Sequence, residues 1–326
     1  MEQVNWGIIG CGDVTEVKSG PAFAKIEKSQ LVAVMRRDAE KAADYAQRHH
    51  VQKWYVDAEA LINDPDINAI YVATPPDSHA DYAIRAMRAG KPVYVEKPMA
   101  LTYAECEAMN RVSQETGVPL FVAFYRRALP YFLKIKELVD QQVIGDIRYV
   151  HIQLNKDPQA NELGDQAQPG WRVSPDVSGG GHFHDLASHQ FDFLEFILGP
   201  IKAASGIARN QAGLYQADDI VVANFEFESG VLGTGNWCFT VNKEQRLDET
   251  QLIGSKGKIT FAFFEKFHIK LETETVVEDF TIPFPEHVQQ PLIQRIVDEL
   301  CGGDKSPSTG ETGARTSRIL DQITAS

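Results

Sequence analysis

The chain is poor in cysteine, in basic charge and in long apolar runs. Its four cysteines, Cys11, Cys106, Cys238 and Cys301, lie far apart, and none forms a C-x-x-C pair. A disulfide framework or a structural zinc site needs denser spacing, so both are excluded and a reducing, cytoplasmic setting is expected. Lys and Arg number 32 against 45 Asp and Glu, a formal net charge of −13. A nucleic-acid binder needs a basic face to displace counterions from phosphates, and this balance argues against one. A local basic pocket for a phosphorylated small molecule remains open. No apolar stretch approaches the roughly 20 residues that span a bilayer, so no membrane partner is expected. Met1–Gly10 contains Glu2, lacks a basic flank and runs straight into a strand pattern, unlike a signal peptide.

What is present is an ordinary globular composition, 43% hydrophobic and 24% charged. That is enough apolar material for a sizeable core without staples. The 326 residues fit two domains at about 150 residues each. Up to residue 123, short β-branched runs alternate with helical patterns. Strands are expected at Val4–Ile9, Leu31–Met35, Ala69–Ala73, Pro92–Val95 and Leu120–Ala123. Helices are expected at Asp38–His49, Ser78–Ala89 and Tyr103–Thr116. Asp77 or Ser78 can cap the second of these, Thr102 and Glu105 have capping-box spacing, and Gly90 and Gly117 follow helix ends. Such alternation implies a doubly wound parallel sheet covered by helices on both faces.

The pattern changes after residue 123. A helix is expected at Pro130–Gln142, a strand at Ile147–Leu154, and a polar loop from Asn155 to Gly181. A helix follows at Asp185–Leu198, then strands at Ile220–Phe227, Gly230–Phe239, Glu249–Ile253, Lys258–Phe263 and Phe267–Thr273. Adjacent strands with short turns imply an α+β domain with a large open, mostly antiparallel sheet. Helices at His287–Leu300 and Glu311–Ile323 close the chain. The expected division is therefore 1–123 and 124–326.

Four motifs carry chemistry. The first runs from Ile8 to Thr15 and holds a G-x-G turn between the first strand and a helix. Gly10 allows the tight turn and Gly12 lets the backbone approach a pyrophosphate, with Cys11, Asp13 and Val14 lining the same turn. Thr15 stands where the fingerprint has its third glycine. The second is Arg36-Arg37-Asp38 at the end of the second strand. A carboxylate there would hold a ribose 2′-hydroxyl; two guanidinium groups instead suit a 2′-phosphate, so NADP(H) is expected over NAD(H). The competing reading is a solvated basic pair with Asp38 as a helix cap.

The third motif is Glu96-Lys97-Pro98, again at a strand end, where groups gather in open α/β sheets. Lys97 there can polarise a substrate oxygen. Ala73-Thr74-Pro75-Pro76 ends the preceding strand, and His79 beyond it is either a cofactor contact or an ordinary residue of a helix's first turn. The fourth is Gly179-Gly180-Gly181-His182-Phe183-His184-Asp185 through His189 to Asp192. Asp185 and His189 are four apart and share one side of a helix. A carboxylate beside an imidazole orients it for proton exchange near neutral pH. His182, His184 and Asp185 also resemble metal ligands, but no second ligand cluster completes a site, so no metal is expected. Asp192 reads as structural. Tyr125, Arg126 and Arg127 follow the last strand of the first domain and either recognise an anionic substrate group or pack structurally.

Taken together these residues resemble the Gfo/Idh/MocA family (glucose–fructose oxidoreductase, inositol dehydrogenase, rhizopine catabolism) over nearly the whole chain. The resemblance is carried by Gly10-Cys11-Gly12, Ala73-Thr74-Pro75-Pro76, Glu96-Lys97-Pro98, Trp171-Arg172, the Gly-Gly-x-x-x-Asp-x-x-x-His stretch ending at His189, Gly230–Gly233 and Ile253–Gly257. It implies NAD(P) bound along the carboxyl edge of the first sheet and a sugar, polyol or related carbonyl substrate. It implies Lys97, Asp185 and His189 as the catalytic group and Glu96 against the nicotinamide ribose; Thr74 and Pro75, at the neighbouring strand end, are expected cofactor contacts. Arg172 would touch substrate or nicotinamide, with Trp171 packing beside it. It also implies a homodimer or homotetramer built through the second sheet. His182 and His184 stand where apolar residues are more usual. Two other readings share the scaffold: an NAD-dependent glycoside hydrolase working by transient oxidation, and a non-catalytic NADP(H) sensor.

Overall fold

The computed structural model describes residues 1–158, 170–265 and 267–325. Two compact units divide the chain: Met1–Leu129 with Pro285–Ala314, and Pro130–Phe284 with Arg315–Ser326. The division at residue 123 therefore differs from the observed one chiefly at the end of the chain, where Pro285–Ala314 returns to the first unit. That return has no local signature, because a helix carries no mark of which sheet will bury its apolar stripe.

In the first unit six strands form one sheet: β1 (Val4–Ile9), β2 (Ser29–Met35), β3 (Lys53–Tyr55), β4 (Ala69–Val72), β5 (Val93–Val95) and β6 (Leu120–Val122). Their order is β3-β2-β1-β4-β5-β6, with every neighbouring pair parallel. The order reverses between β1 and β4, and such a switch point is where ligands sit in open α/β sheets. The helices are α1 (Asp13–Val17), α2 (Gly20–Lys25), α3 (Ala39–Arg48), α4 (Ala58–Ile62), α5 (His79–Arg88) and α6 (Tyr103–Thr116). Asp38 caps α3 by accepting from Lys41 N, and Thr102 caps α6 by accepting from Glu105 N. Ser78 does not cap α5; its hydroxyl donates to Thr74 Oγ1 and Pro75 O, because a 3-10 turn at Pro76–Ser78 precedes the helix.

Both faces of this sheet are dry. On one, Ile9, Val72 and Val95 pack with Leu61, Met87 and Met109 of the covering helices. On the other, Trp6, Tyr71 and Tyr94 join Phe23 of α2: Tyr71 and Tyr94 stack at 4.9 Å and Trp6 lies 5.0 Å from Phe23. Each such fully buried ring is worth about 1.5–3 kcal/mol of transfer free energy.

The second unit begins with α7 (Pro130–Asp140) and holds β7 (Ile147–Asn155), α8 (Pro175–Ser178), α9 (Gly181–Leu198), β8 (Ile201–Arg209), β9 (Ile220–Phe227), β10 (Leu232–Cys238), β11 (Leu247–Gly254), β12 (Gly257–Phe261), β13 (His268–Thr273) and β14 (Val277–Thr281). Helix α10 (Gln290–Leu300) belongs to the first unit, and α11 (Gly310–Thr324) ends the chain. The eight strands run β14-β13-β12-β11-β7-β10-β9-β8, antiparallel except for the β7–β10 pair. Alternation is plain in β9, where Val221, Ala223 and Phe225 are buried while Val222 and Asn224 face outward. Helix α9 covers the buried face, with Phe183 5.0 Å and Phe191 5.6 Å from Trp237 of β10. Gln190 Oε1 accepts from Trp237 Nε1 at 2.6 Å, which satisfies the buried indole. Part of the loop expected over 155–181 lies outside the described residues.

Candidate active site

The glycine turn leaves β1 at the switch point. Gly10 has φ +94°, and a Cβ on it would lie 2.8 Å from Thr74 N, so the close approach of the β4 loop admits glycine alone. Gly12 is extended, and a Cβ on it would meet nothing nearer than Gly10 O at 4.0 Å. The backbone at Gly12 is thus open on the side a phosphate would approach, and the cradle fits a dinucleotide. Asp13 and Val14 start α1, which stops after one turn and resumes as α2. Thr15 is buried; its hydroxyl donates to Gly12 O at 2.7 Å and its carbonyl accepts from Tyr45 at 2.8 Å. The close packing expected of a third glycine falls to Gly20, whose Cβ would strike Thr15 O and the Tyr45 hydroxyl.

Arg36 follows β2 directly and donates from Nη1 to Cys11 O at 3.1 Å, which places its guanidinium beside the glycine turn. Arg37 is exposed, and Asp38 is engaged as the cap of α3. Burial pushes the Cys11 thiol up to about 11, so it stays protonated and inert within the turn.

Beyond β4, Thr74 and Pro75 form the next loop. His79 is buried with Nε2 2.7 Å from Thr74 O and Nδ1 3.0 Å from Pro98 O. Burial lowers its pKa, and the neutral ring, set between the Thr74 loop and the turn that follows Lys97, donates to one of these two carbonyls. Glu96 follows β5 directly and is buried. Its Oε1 accepts from the Tyr71 hydroxyl at 2.6 Å and from Gln289 Nε2 at 2.5 Å, and its Oε2 accepts from Lys97 N at 3.1 Å. Gln289 Oε1 in turn accepts from the Tyr94 hydroxyl at 2.8 Å. Tyr71 and Gln289 stand outside the motifs named above, and Tyr94 opens the strand-end run Tyr94–Pro98. Tyr71 and Tyr94 had a signal, since they pair across β4 and β5 and Tyr94 shares a strand face with Glu96. Gln289 had none.

Tyr125, Arg126 and Arg127 form a buried 3-10 turn after β6. Arg127 donates to Pro307 O at 2.9 Å, and the Arg126 guanidinium lies 5.1 Å from the Tyr125 ring centre. Arg127 thus supports the returning segment.

In the second unit, Trp171–Val173 is a 3-10 turn, with the Arg172 guanidinium 4.5 Å from the Trp171 ring centre. Arg172 Nε lies 3.7 Å from Asp185 Oδ2, an ion pair longer than a hydrogen bond. Asp185 and His189 stand one turn apart on α9, and His189 is buried with its ring 6.2 Å from Phe264. Helix α9 starts at Gly181 rather than Asp185. Gly180, at φ +159°, would drive a Cβ into the His184 ring, and Gly181 would drive one into Ala217 Cβ. Ser178 Oγ accepts from Gly181 N at 2.9 Å and closes the helix start. Burial pushes His184 down to about 4, so it is neutral. His182 packs on Phe239 and Tyr215, with ring centres at 5.3 and 5.9 Å. Both histidines are therefore held as packing groups. Among the described residues no three His, Cys, Asp or Glu side chains gather as a metal site, and no helix is long and apolar enough to cross a membrane.

Comparisons with known proteins bear on both units. Residues 4–124 match the family model described as oxidoreductase family, NAD-binding Rossmann fold, and residues 132–260 match the GFO/IDH/MocA C-terminal domain. Oxidoreductase P35 of Formosa agariphila is 41% identical, covering 98% of this chain and 98% of its own. A 1,5-anhydro-D-fructose reductase of Ensifer adhaerens is 29% identical over 72% of this chain and 69% of its own. Levoglucosan dehydrogenase, solved in complex with NADH and levoglucosan, shares the fold at TM-score 0.87 with 23% identity, covering 98% of this chain and 96% of that one.

Proposed function

The chain belongs to the GFO/IDH/MocA family of NAD-binding oxidoreductases, and from that premise we propose that it transfers hydride between a nicotinamide and a sugar, polyol or related carbonyl compound. The observation that supports this most is the meeting of the Gly10 turn, the Thr74 loop and Glu96–Lys97 at the carboxyl ends of adjacent strands β1, β4 and β5. Gly10, Cys11, Gly12, Asp13 and Val14 would hold the pyrophosphate, with Thr74 and Pro75 beside them and His79 bracing that loop. Glu96 would hold the nicotinamide ribose. A bound nicotinamide supplies the hydride acceptor or donor.

The chain's own residues supply orientation and proton handling. Lys97 donates a hydrogen bond to the reacting oxygen and stabilises its developing negative charge. His189 exchanges the proton, and Asp185 sets its charge environment. Arg172, whose charge the Asp185 carboxylate already engages, contacts substrate with Trp171 and Tyr125. Arg36 favours NADP(H): it stands at the ribose position of β2 where an NAD site carries a carboxylate, and the nearby carboxylate, Asp38, is spent on the α3 cap.

The outward face of the second sheet supports self-association. Leu232 is 58% exposed and Val222 50%, on adjacent strands that also present Asn224 and Thr234. A partly apolar sheet face of this kind, where Glu226 opposite Leu232 is ion-paired with Lys202, fits a second copy of itself, as a homodimer or homotetramer.

The test is a titration of the purified chain with NADPH and NADH, followed by a panel of sugars and carbonyl compounds with the tighter nucleotide. Tighter NADPH binding and its oxidation by a carbonyl compound are expected. Preference for NADH would overturn the 2′-phosphate role of Arg36. Binding of neither would overturn the whole reading.

A further inference from the structure

Glu96 is 6% exposed and Gln289 fully buried. A carboxylate offers about four acceptor sites. Tyr71, Gln289 and the Lys97 N–H occupy three of them, two on Oε1 and one on Oε2. The free acceptor is therefore confined to Oε2, on the atom that the Lys97 backbone also holds. The Gln289 amide is itself oriented: its oxygen takes the Tyr94 proton, which turns its nitrogen toward Glu96.

The segment carrying Gln289 is anchored to the glycine-turn side as well. His287 Nδ1 lies 2.7 Å from Val17 O, and Gln289 N donates to Lys18 O at 3.2 Å. Val17 and Lys18 end the short helix that Gly12 opens. One returning segment thus grips both the helix after the pyrophosphate turn and the carboxylate beside Lys97.

We propose that Gln289 is a positioning residue for dinucleotide binding, fixing the Glu96 carboxylate so that one acceptor on Oε2 is kept for a ribose hydroxyl. This rests on the cofactor reading above. Without the amide, Glu96 loses a charge-directed hydrogen bond and its carboxylate rotates about the Tyr71 contact. The remaining ionisable neighbours are Tyr71 and Tyr94, whose hydroxyls burial holds well above the usual tyrosine range, His79, which burial lowers, and Lys97.

The experiment is a titration of NADPH and NADH into the wild type, Gln289→Leu, Gln289→Glu and Glu96→Gln at pH 5.5 and 8, with melting curves for each. Gln289→Leu is expected to weaken nucleotide binding about tenfold at both pH values. Gln289→Glu sets a second carboxyl against Glu96. At pH 8 the two charges repel and binding falls at least as far. At pH 5.5 the pair shares one proton, which replaces the amide N–H, and binding recovers toward wild type. A purely structural role predicts no such rescue by acid. Unchanged binding in both Gln289 variants, with Glu96→Gln impaired, would overturn the proposal alone. No nucleotide binding by the wild type would overturn the cofactor reading and this proposal with it.

Discussion

The two sheets solve burial in different ways. The six-stranded sheet is covered on both faces, so its central strands are largely apolar, as in the fully buried β4 run Ala69–Val72. The polar groups buried at its centre, Tyr71 and Tyr94, bond to Glu96 and Gln289, and Cys11, Arg36, Thr74, Glu96 and Lys97 lie just past the strand ends. The eight-stranded sheet is covered on one face only. Its chemistry comes instead from the helix laid on it, where Phe183 and Phe191 point to Trp237 and leave Asp185 and His189 on other sides. A doubly buried sheet leaves its polar candidate groups at its edge, whereas a singly buried one presents them on its covering helix and keeps its other face open.

Lys97 tests the edge and His189 the helix, and both should matter alike. Lys97→Met and His189→Asn are each expected to lower turnover roughly a thousandfold while the chain stays folded by its melting curve. A large loss in only one would show that one unit alone handles the reacting oxygen. In a turnover assay the double variant is expected to fall little below the worse single one, as groups that serve one reacting oxygen do.

His184 sharpens the contrast in packing. The unfolded chain takes up its proton near pH 6.5, the folded chain only near 4. Stability from this group is therefore complete above 6.5 and is lost as pH falls toward 4, by up to about 3 kcal/mol. Denaturant midpoints measured from pH 7 to pH 4 should fall more steeply in the wild type than in His184→Phe. Parallel curves would mean the imidazole is not held neutral.

Arg36→Ala is a smaller change confined to the first sheet. It should weaken NADPH binding about tenfold or more and leave NADH within about twofold, on the worth of one charge-assisted phosphate contact. Equal loss for both nucleotides would reduce Arg36 to its contact with Cys11 O. The mildest effect belongs to the open face of the second sheet. Leu232→Lys should lower the molecular mass measured by light scattering while turnover per chain stays near wild type. An unchanged mass would place any self-association elsewhere.

The first sheet was the more legible of the two. Val4–Ile9 and Tyr103–Thr116 fall where the pattern puts them, because strong periodicity and good caps agree there. The strands that escaped are edges, and the helices that escaped are the short ones, α2, α4 and α8. Strand β3 has three residues, β8 reads IKAASGIAR with little alternation, and β14 is polar and exposed. Edge strands bury little, so their residues are chosen by neighbours rather than by a core. The start of α9 escaped for a different reason. Glycine is a poor helix former, yet Gly180 and Gly181 are required by the ring of His184 and the methyl of Ala217.

The candidate site divides the same way. The sequence by itself determined the glycine turn, the strand-end Lys97 and the Asp185–His189 spacing, because each is a local relation between a residue and its own strand, turn or helix. Only the tertiary structure decided that Pro285–Ala314 returns to the first unit and that Gln289 meets Glu96 across 193 positions of chain. A buried carboxylate demands donors, and the sequence states that demand at Glu96. Which distant amide answers it depends on how α10 packs, and no local pattern encodes that.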